Sequence, residues 1–206
     1  MRSRAFFVSL MVAGLALPSA GAAQVEFGAF AGAFIPTSDL TDEFGTERIT
    51  QAHDAGLVVG ARIGAQLSSI TLEGSVALIP TNLTTESATL GVSASADQTI
   101  ISADASVLLN LGGGAFFEPF LAAGVGVKNY SEDDPSTPPG FESGMDVSFN
   151  VGVGGRMRLT QTTAIRVDIR DHISSFDAFD LLPESGQDPK LQNDILVTVG
   201  ISLTPG

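Results

Sequence analysis

From Val25 to Leu203 the chain repeats one pattern eight times: odd-numbered side chains are apolar, while even-numbered ones are glycine, polar or charged. A two-residue period gives an extended strand one greasy face and one wet face. In the last segment Ile195, Val197, Val199, Ile201 and Leu203 alternate with Asp194, Leu196, Thr198, Gly200 and Ser202. In the second, Leu57, Val59, Ala61, Ile63 and Ala65 alternate with Gly56, Val58, Gly60, Arg62 and Gly64. Eight such strands suffice to close a small barrel, so the expected fold class is all-β, an eight-stranded antiparallel up-and-down barrel.

The pattern predicts strands near residues 25–35, 55–67, 70–79, 98–111, 117–129, 145–159, 163–173 and 194–203. Long connections over 36–54, 80–97, 130–144 and 174–193 take turns with short ones at Ser68 and Ser69, Gly112 to Phe116 and Thr160 to Thr162. Successive connections of such a barrel fall at opposite ends, so one rim carries the long loops and the other the tight turns. Transmembrane barrels divide their loops this way.

The first residues are read separately. Arg2 and Arg4 precede an apolar run from Ala5 to Leu17 and then the small residues Ala20, Gly21, Ala22 and Ala23, the layout of a secretory signal peptide. Residues 1–23 are therefore the expected leader and 24–206 the barrel domain. Without Arg2 and Arg4 the chain holds eight Lys+Arg against 23 Asp+Glu, a net charge of −15. That acidity argues against nucleic acid as a partner. With no cysteine there is no disulfide framework and no thiolate metal site.

Six of those eight basic residues, Arg62, Lys128, Arg156, Arg158, Arg166 and Arg170, fall on the polar face of the strands, and so do Glu73, Asp104, Glu118, Asp146, Asp168 and Asp194. Most other acids fall in the long connections or at their edges. The polar face also holds glycines such as Gly28, Gly60, Gly124, Gly152, Gly154 and Gly200. An eight-stranded barrel has a bore only just wide enough for side chains, so long arginines inside it need glycine opposite them. On a water-facing surface those glycines would only weaken the strands. The polar face is thus expected inside and the aliphatic face against lipid. The alternative is a soluble periplasmic lipocalin-like carrier, with the apolar face lining a cavity.

Glu118-Pro-Phe-Leu-Ala-Ala-Gly-Val-Gly-Val127, Asn150-Val-Gly-Val-Gly-Gly155 and Arg166-Val-Asp-Ile-Arg-Asp-His172 resemble strands of the bacterial outer-membrane β-barrel domain family, the OmpA-like and OmpW-like barrels. The resemblance covers nearly the whole chain after the leader. It implies a closed barrel in the bacterial outer membrane, in contact with lipid, lipopolysaccharide and the insertion machinery. The implied role is structural, adhesive or porin-like toward small solutes, without catalytic residues or cofactor. Two features depart from the family pattern. The chain ends Ile201-Ser-Leu-Thr-Pro-Gly206 where members commonly finish on an aromatic residue, and Phe27, Phe116, Phe117 and Phe120 are left to form the periplasmic girdle.

The expected site is an ion-pair network filling the lumen: Arg62, Glu73, Asp104, Glu118, Lys128, Arg156, Arg158, Arg166, Asp168, Arg170 and Asp194, centred on Arg170 and Asp168. A bore this narrow is filled by its own side chains, and each buried charge needs a partner. His172 and Ser174 resemble the His-x-Ser element of outer-membrane lipid A deacylases, with Asp171, Asp177 or Glu184 to orient the ring. Here, however, a second serine follows Ser174, and His172 is in phase with the lumen. Acid runs at Glu132 to Asp134, Asp39 to Glu43 and Asp177 to Asp180 offer oxygen ligands to divalent cations, without the spacing of a calcium loop.

Overall fold

The computed structural model describes residues 23–37, 49–87, 92–112, 114, 116–132, 145–176 and 190–205. They form nine strands: β1 (Ala23–Pro36), β2 (Ile49–His53), β3 (Gly56–Leu67), β4 (Ile70–Ser87), β5 (Val92–Asn110), β6 (Phe117–Glu132), β7 (Met145–Arg158), β8 (Thr163–Phe176) and β9 (Lys190–Leu203). They pair in the order β2-β4-β3-β1-β9-β8-β7-β6-β5, and a further pairing of β4 with β5 closes the sheet on itself. β2 and β3 lie end to end along β4, so nine strands make eight staves, all antiparallel.

Following the register once around fixes the geometry. Glu26 leads through Gly64, Glu73, Ser106, Gly124, Asn150, His172 and Asp194 to Pro36, a stagger of ten residues. Ten residues of rise over eight strand spacings tilt the strands by about 40°. The leader expected over residues 1–23 lies, apart from Ala23, outside the described residues. So do the loop acids Asp39 to Glu43, Asp133, Asp134 and Asp177 to Asp180.

The two faces are oriented without ambiguity. Val151, Val167 and Val199 are 50%, 45% and 53% exposed, whereas Arg156, Arg166 and Arg170 are 4%, 1% and 8% exposed. Aliphatic side chains surround the barrel and charged ones fill it, the reverse of the carrier arrangement.

Three details depart from the sequence reading. The first is length: β4 and β5 run on to Ser87 and Val92, so most of the expected loop over 80–97 is ladder, from Pro80 opposite Thr99 to Ser87 opposite Val92. Above the lipid the outer face has no need of aliphatic side chains, so the hydrophobic period stops before the strand does. The second is phase. Leu67 and Ile70 pair around the two-residue turn, which puts odd-numbered Thr71, Glu73, Ala77 and Ile79 inside. The third is the broken stave: His53 lies opposite Leu83 and Val59 opposite Leu78, so six residues match five. The extra residue is a bulge around Asp54 and Ala55, and it turns His53 inward. Pro80, which has no N–H to give, sits where the bulge interrupts the ladder.

At the short-turn rim Phe27, Phe116 and Phe117 are exposed, but Phe120, expected beside them, points into the bore. Its even position on β6 sends it inward. Gly112 turns the chain at this rim with φ +73°, a backbone conformation that favours glycine.

Candidate functional site: the filled lumen

The middle of the bore is built on β8, where Arg166, Asp168 and Arg170 point inward from alternate positions. Arg166 grips Asp168 with both prongs of its guanidinium, Nε to Oδ2 at 2.9 Å and Nη2 to Oδ1 at 2.8 Å. Across the bore it also donates to Glu73 of β4, from Nη2 to Oε1 at 3.2 Å and from Nη1 to Oε2. Arg170 Nη2 donates to the same Glu73 oxygen at 2.6 Å and lies 3.3 Å from Asp168 Oδ1. Arg62 Nη1, from β3, donates to Asp168 Oδ2 at 2.7 Å. Three guanidiniums thus hold two carboxylates. The planar fork of arginine suits such shared, bidentate bonding, which a lysine could not reproduce.

Two inward phenyl rings pack against this cluster. The Arg62 guanidinium lies 4.3 Å from the Phe30 ring centre, and those of Arg166 and Arg156 lie 4.6 and 5.0 Å from that of Phe120. Such contacts gain strength away from water. The rings fit because glycine faces them: an added Cβ would come 2.3 Å from Phe30 at Gly60 and 2.4 Å from Phe120 at Gly154.

Toward the short-turn rim Arg156 pairs with Glu26 at 3.1 Å and donates to Asn110 Oδ1 at 2.9 Å. Arg158 pairs with Glu118 at 3.3 Å beside a polar vestibule of about 90 Å³. Toward the long-loop rim Lys128 Nζ lies 2.5 Å from Asp194 and 3.3 Å from Ser174 Oγ. Gln192 donates to Asp194 at 3.1 Å and to His53 Nδ1 at 3.2 Å, and His53 Nε2 meets Gln98 Oε1 at 2.8 Å. Because a carboxylate only accepts, Gln192 must present its amide N–H groups; His53 Nδ1 then accepts and Nε2–H donates. The His53 ring is stacked on Tyr130, centres 5.8 Å apart. The same level also holds an apolar cluster of Phe34, Val58, Ile79, Ile100 and Leu196.

Of the eleven residues proposed from sequence, Arg62, Glu73, Arg166, Asp168 and Arg170 meet in the middle, around Arg166 more than around Arg170. Lys128 with Asp194 and Arg158 with Glu118 form separate groups, while Arg156 joins the middle through Glu26, which lies 3.8 Å from Arg166 Nη1. Asp104 accepts from Ser102 at 3.1 Å and Asn150 at 3.3 Å and lies 3.6 Å from His172 Nδ1. The sequence reading left out Glu26, although its even position on β1 matched the lumen phase. Phe30, Phe34 and Phe120 also fill the lumen, and the strand period does not mark them, because an apolar side chain at an even position carries no charge to flag it. Nothing local marked His53, whose direction depends on the bulge.

His172 and Ser174 are both buried inside this packed lumen, with Ser174 Oγ accepting from Lys128. Asp171, one of the acids considered as their partner, points out of the opposite face of β8. The arrangement gives lipid A hydrolysis no support. Among the described residues no three His, Asp or Glu side chains converge as metal ligands.

A family model for the outer membrane protein beta-barrel domain matches residues 5–202. The chain belongs to this family, and its place is the bacterial outer membrane. Among solved structures it is similar to Neisserial surface protein A, at 12% identity and a TM-score of 0.58, with 89% of this chain and 96% of that one covered. It is also similar to OprG from Pseudomonas aeruginosa, at 15% identity and a TM-score of 0.62, covering 89% and 97%. With AlkL the identity is 17% and the TM-score 0.50, covering 91% and 93%. At these identities the likeness is one of fold. No curated protein matches the sequence.

Proposed function

We propose that the protein is a sealed, non-enzymatic barrel that anchors acidic loops at the cell surface in a structural or adhesive role. The observation that carries this reading is the section through Arg166, where guanidiniums, carboxylates and phenyl rings fill the bore. A void of about 30 Å³ lies beside them, lined in part by Arg62, Glu73, Asp104, Arg170 and His172. That is room for a water and not for a solute. Opening a path would separate buried charges that have no water to replace their partners.

Residues 38–48, 133–144 and 177–189 carry eleven Asp and Glu against the single base Arg48, and the strand ends that flank them, Pro36, Ile49, Glu132, Met145, Phe176 and Lys190, lie at one rim. Such a rim suits cationic partners or divalent cations bridging to lipopolysaccharide phosphates. Recordings from the refolded protein in planar bilayers test the seal: no stable channel is expected, and a large steady conductance overturns it. Binding of expressing cells to a cationic surface tests the display. Neutralising the eleven loop acids should abolish that binding, and unchanged binding refutes the adhesive role.

A further inference from the structure

Asp171 stands in the aliphatic outer face of the barrel. Arg170 and His172 on either side of it point inward, so its own side chain points out, between Ile169 and Ile173 along β8. Val151 and Ile195 are its partners across the neighbouring strands. Its Oδ1 is buried and has no hydrogen-bond partner. An acid on the lipid face of a barrel is unfavourable, and ionisable groups at membrane depth are rare where they have no task. The lumen does not use it.

The row that contains Asp171 continues through Val151 to Ala123 and Val107. Ala123 offers only a methyl group where Leu121 and Val125 flank it, and the surface dips there. The resulting groove, about 600 Å³, is lined by Val107, Leu109, Leu121, Ala123, Val151 and Val153. It is a shallow, open dip in the lipid-facing surface. It lies two strands from Asp171, about 10 Å away, with Val151 between them.

The chemistry of the pair restricts what fits. The groove takes a hydrocarbon chain, and the carboxyl group asks for a hydrogen-bond donor at its own depth. A second copy of the chain is a poor donor, because among the described residues the aliphatic belt holds no Lys or Arg and a symmetric contact would bring two acids together. Ammonium head groups keep to the membrane surface, whereas a neutral hydroxyl enters hydrocarbon at much lower cost. Asp171 also lies toward the long-loop end of the β8 belt, whose last aliphatic residue is Ile173. We propose that Asp171 and the groove over Ala123 form a lateral site for an outer-leaflet lipid with a hydroxylated acyl chain, the chain lying in the groove and its hydroxyl donating to the carboxyl group. The site depends on the outer-membrane location and not on the lumen being sealed.

Native mass spectrometry of the full barrel released from lipid nanodiscs tests this. One set of nanodiscs contains a lipid with 3-hydroxyacyl chains, and the other its counterpart without the hydroxyl. A hydrogen bond to a charged group corresponds to a preference of about tenfold for the hydroxylated lipid. Asp171→Leu and Ala123→Leu should each remove the preference while keeping the heat-modifiable gel mobility of a closed barrel. Asp171→Asn, which keeps a weaker acceptor, should reduce it partway, and serves if Asp171→Leu does not fold. Equal retention of the two lipids by the unmodified protein, or an undiminished preference in Asp171→Leu or Asp171→Asn, overturns the proposal.

Discussion

The middle of the lumen and its outer mouth are both buried and both charged, yet they are held in different ways. In the middle every carboxylate has more than one guanidinium: Glu73 meets Arg166 and Arg170, and Asp168 meets Arg62, Arg166 and Arg170. At the mouth Asp194 has one cation within 4 Å among the described residues, Lys128, and beyond it one path of hydrogen bonds runs through Gln192 and His53 to Gln98, with Lys128–Ser174 and Tyr130–Gln192 as side branches. The middle is a mesh and the mouth is a chain. A mesh loses one strand and keeps its partners, whereas a chain broken anywhere leaves a buried group alone.

The largest effect is therefore expected at the mouth. Lys128→Met leaves Asp194 buried with no cation within 4 Å among the described residues, a change that costs about 3–5 kcal/mol when the second partner stays. Adding Asp194→Asn should recover most of that loss, because both charges are then gone. Urea unfolding in lipid vesicles, followed by gel mobility, measures both variants. Arg166→Met should cost less, about 1–3 kcal/mol from lost hydrogen bonds and packing, even though Arg166 is as fully buried as Lys128. After that change Arg62, Arg156 and Arg170 still balance Glu26, Glu73 and Asp168. A larger loss for Arg166→Met than for Lys128→Met would mean that redundancy does not protect the middle.

This difference between mesh and chain was only half legible in the sequence. The lumen phase of Arg166, Asp168 and Arg170 follows from the strand period alone, and so does the aliphatic outer face. Which charges meet depends on the ten-residue stagger, which brings Glu73 across to Arg166 and keeps Lys128 with Asp194, and no local pattern encodes it. The mouth was hidden more deeply. Above the lipid, Thr81, Asn82, Thr84, Ser93 and Ser95 keep the strands without the hydrophobic alternation that announces them, so the ladder there read as loop. The bulge before β3 reversed the phase of His53. Asp171 enters the sequence analysis only as a possible partner of His172, although the expected strand over 163–173 already sets it between Ile169 and Ile173.

The smallest effect concerns His53 and the pH dependence of the mouth. β2 lies on the loop side of Leu57, where the aliphatic face of its stave ends. Burial holds the ring's pKa below its ordinary value; Lys128 acts in the same direction, while the Gln98 hydrogen bond, Asp194 and Asp54 oppose it. The partly opened state then binds more protons than the closed one once the pH falls below about 6.5, the ordinary histidine value. Closure is favoured above that pH and lost progressively below it. A proton on Nδ1 would also face the N–H of Gln192, donor against donor, and turning that amide would in turn deprive Asp194. Amide protection factors in β2 and the adjoining 81–87 segment of β4 should fall several-fold from pH 7.5 to 5, while those around Arg166 hold. His53→Gln should flatten that response. If the variant keeps the full pH dependence, the titrating group is another one and the mouth is not a chain running through His53.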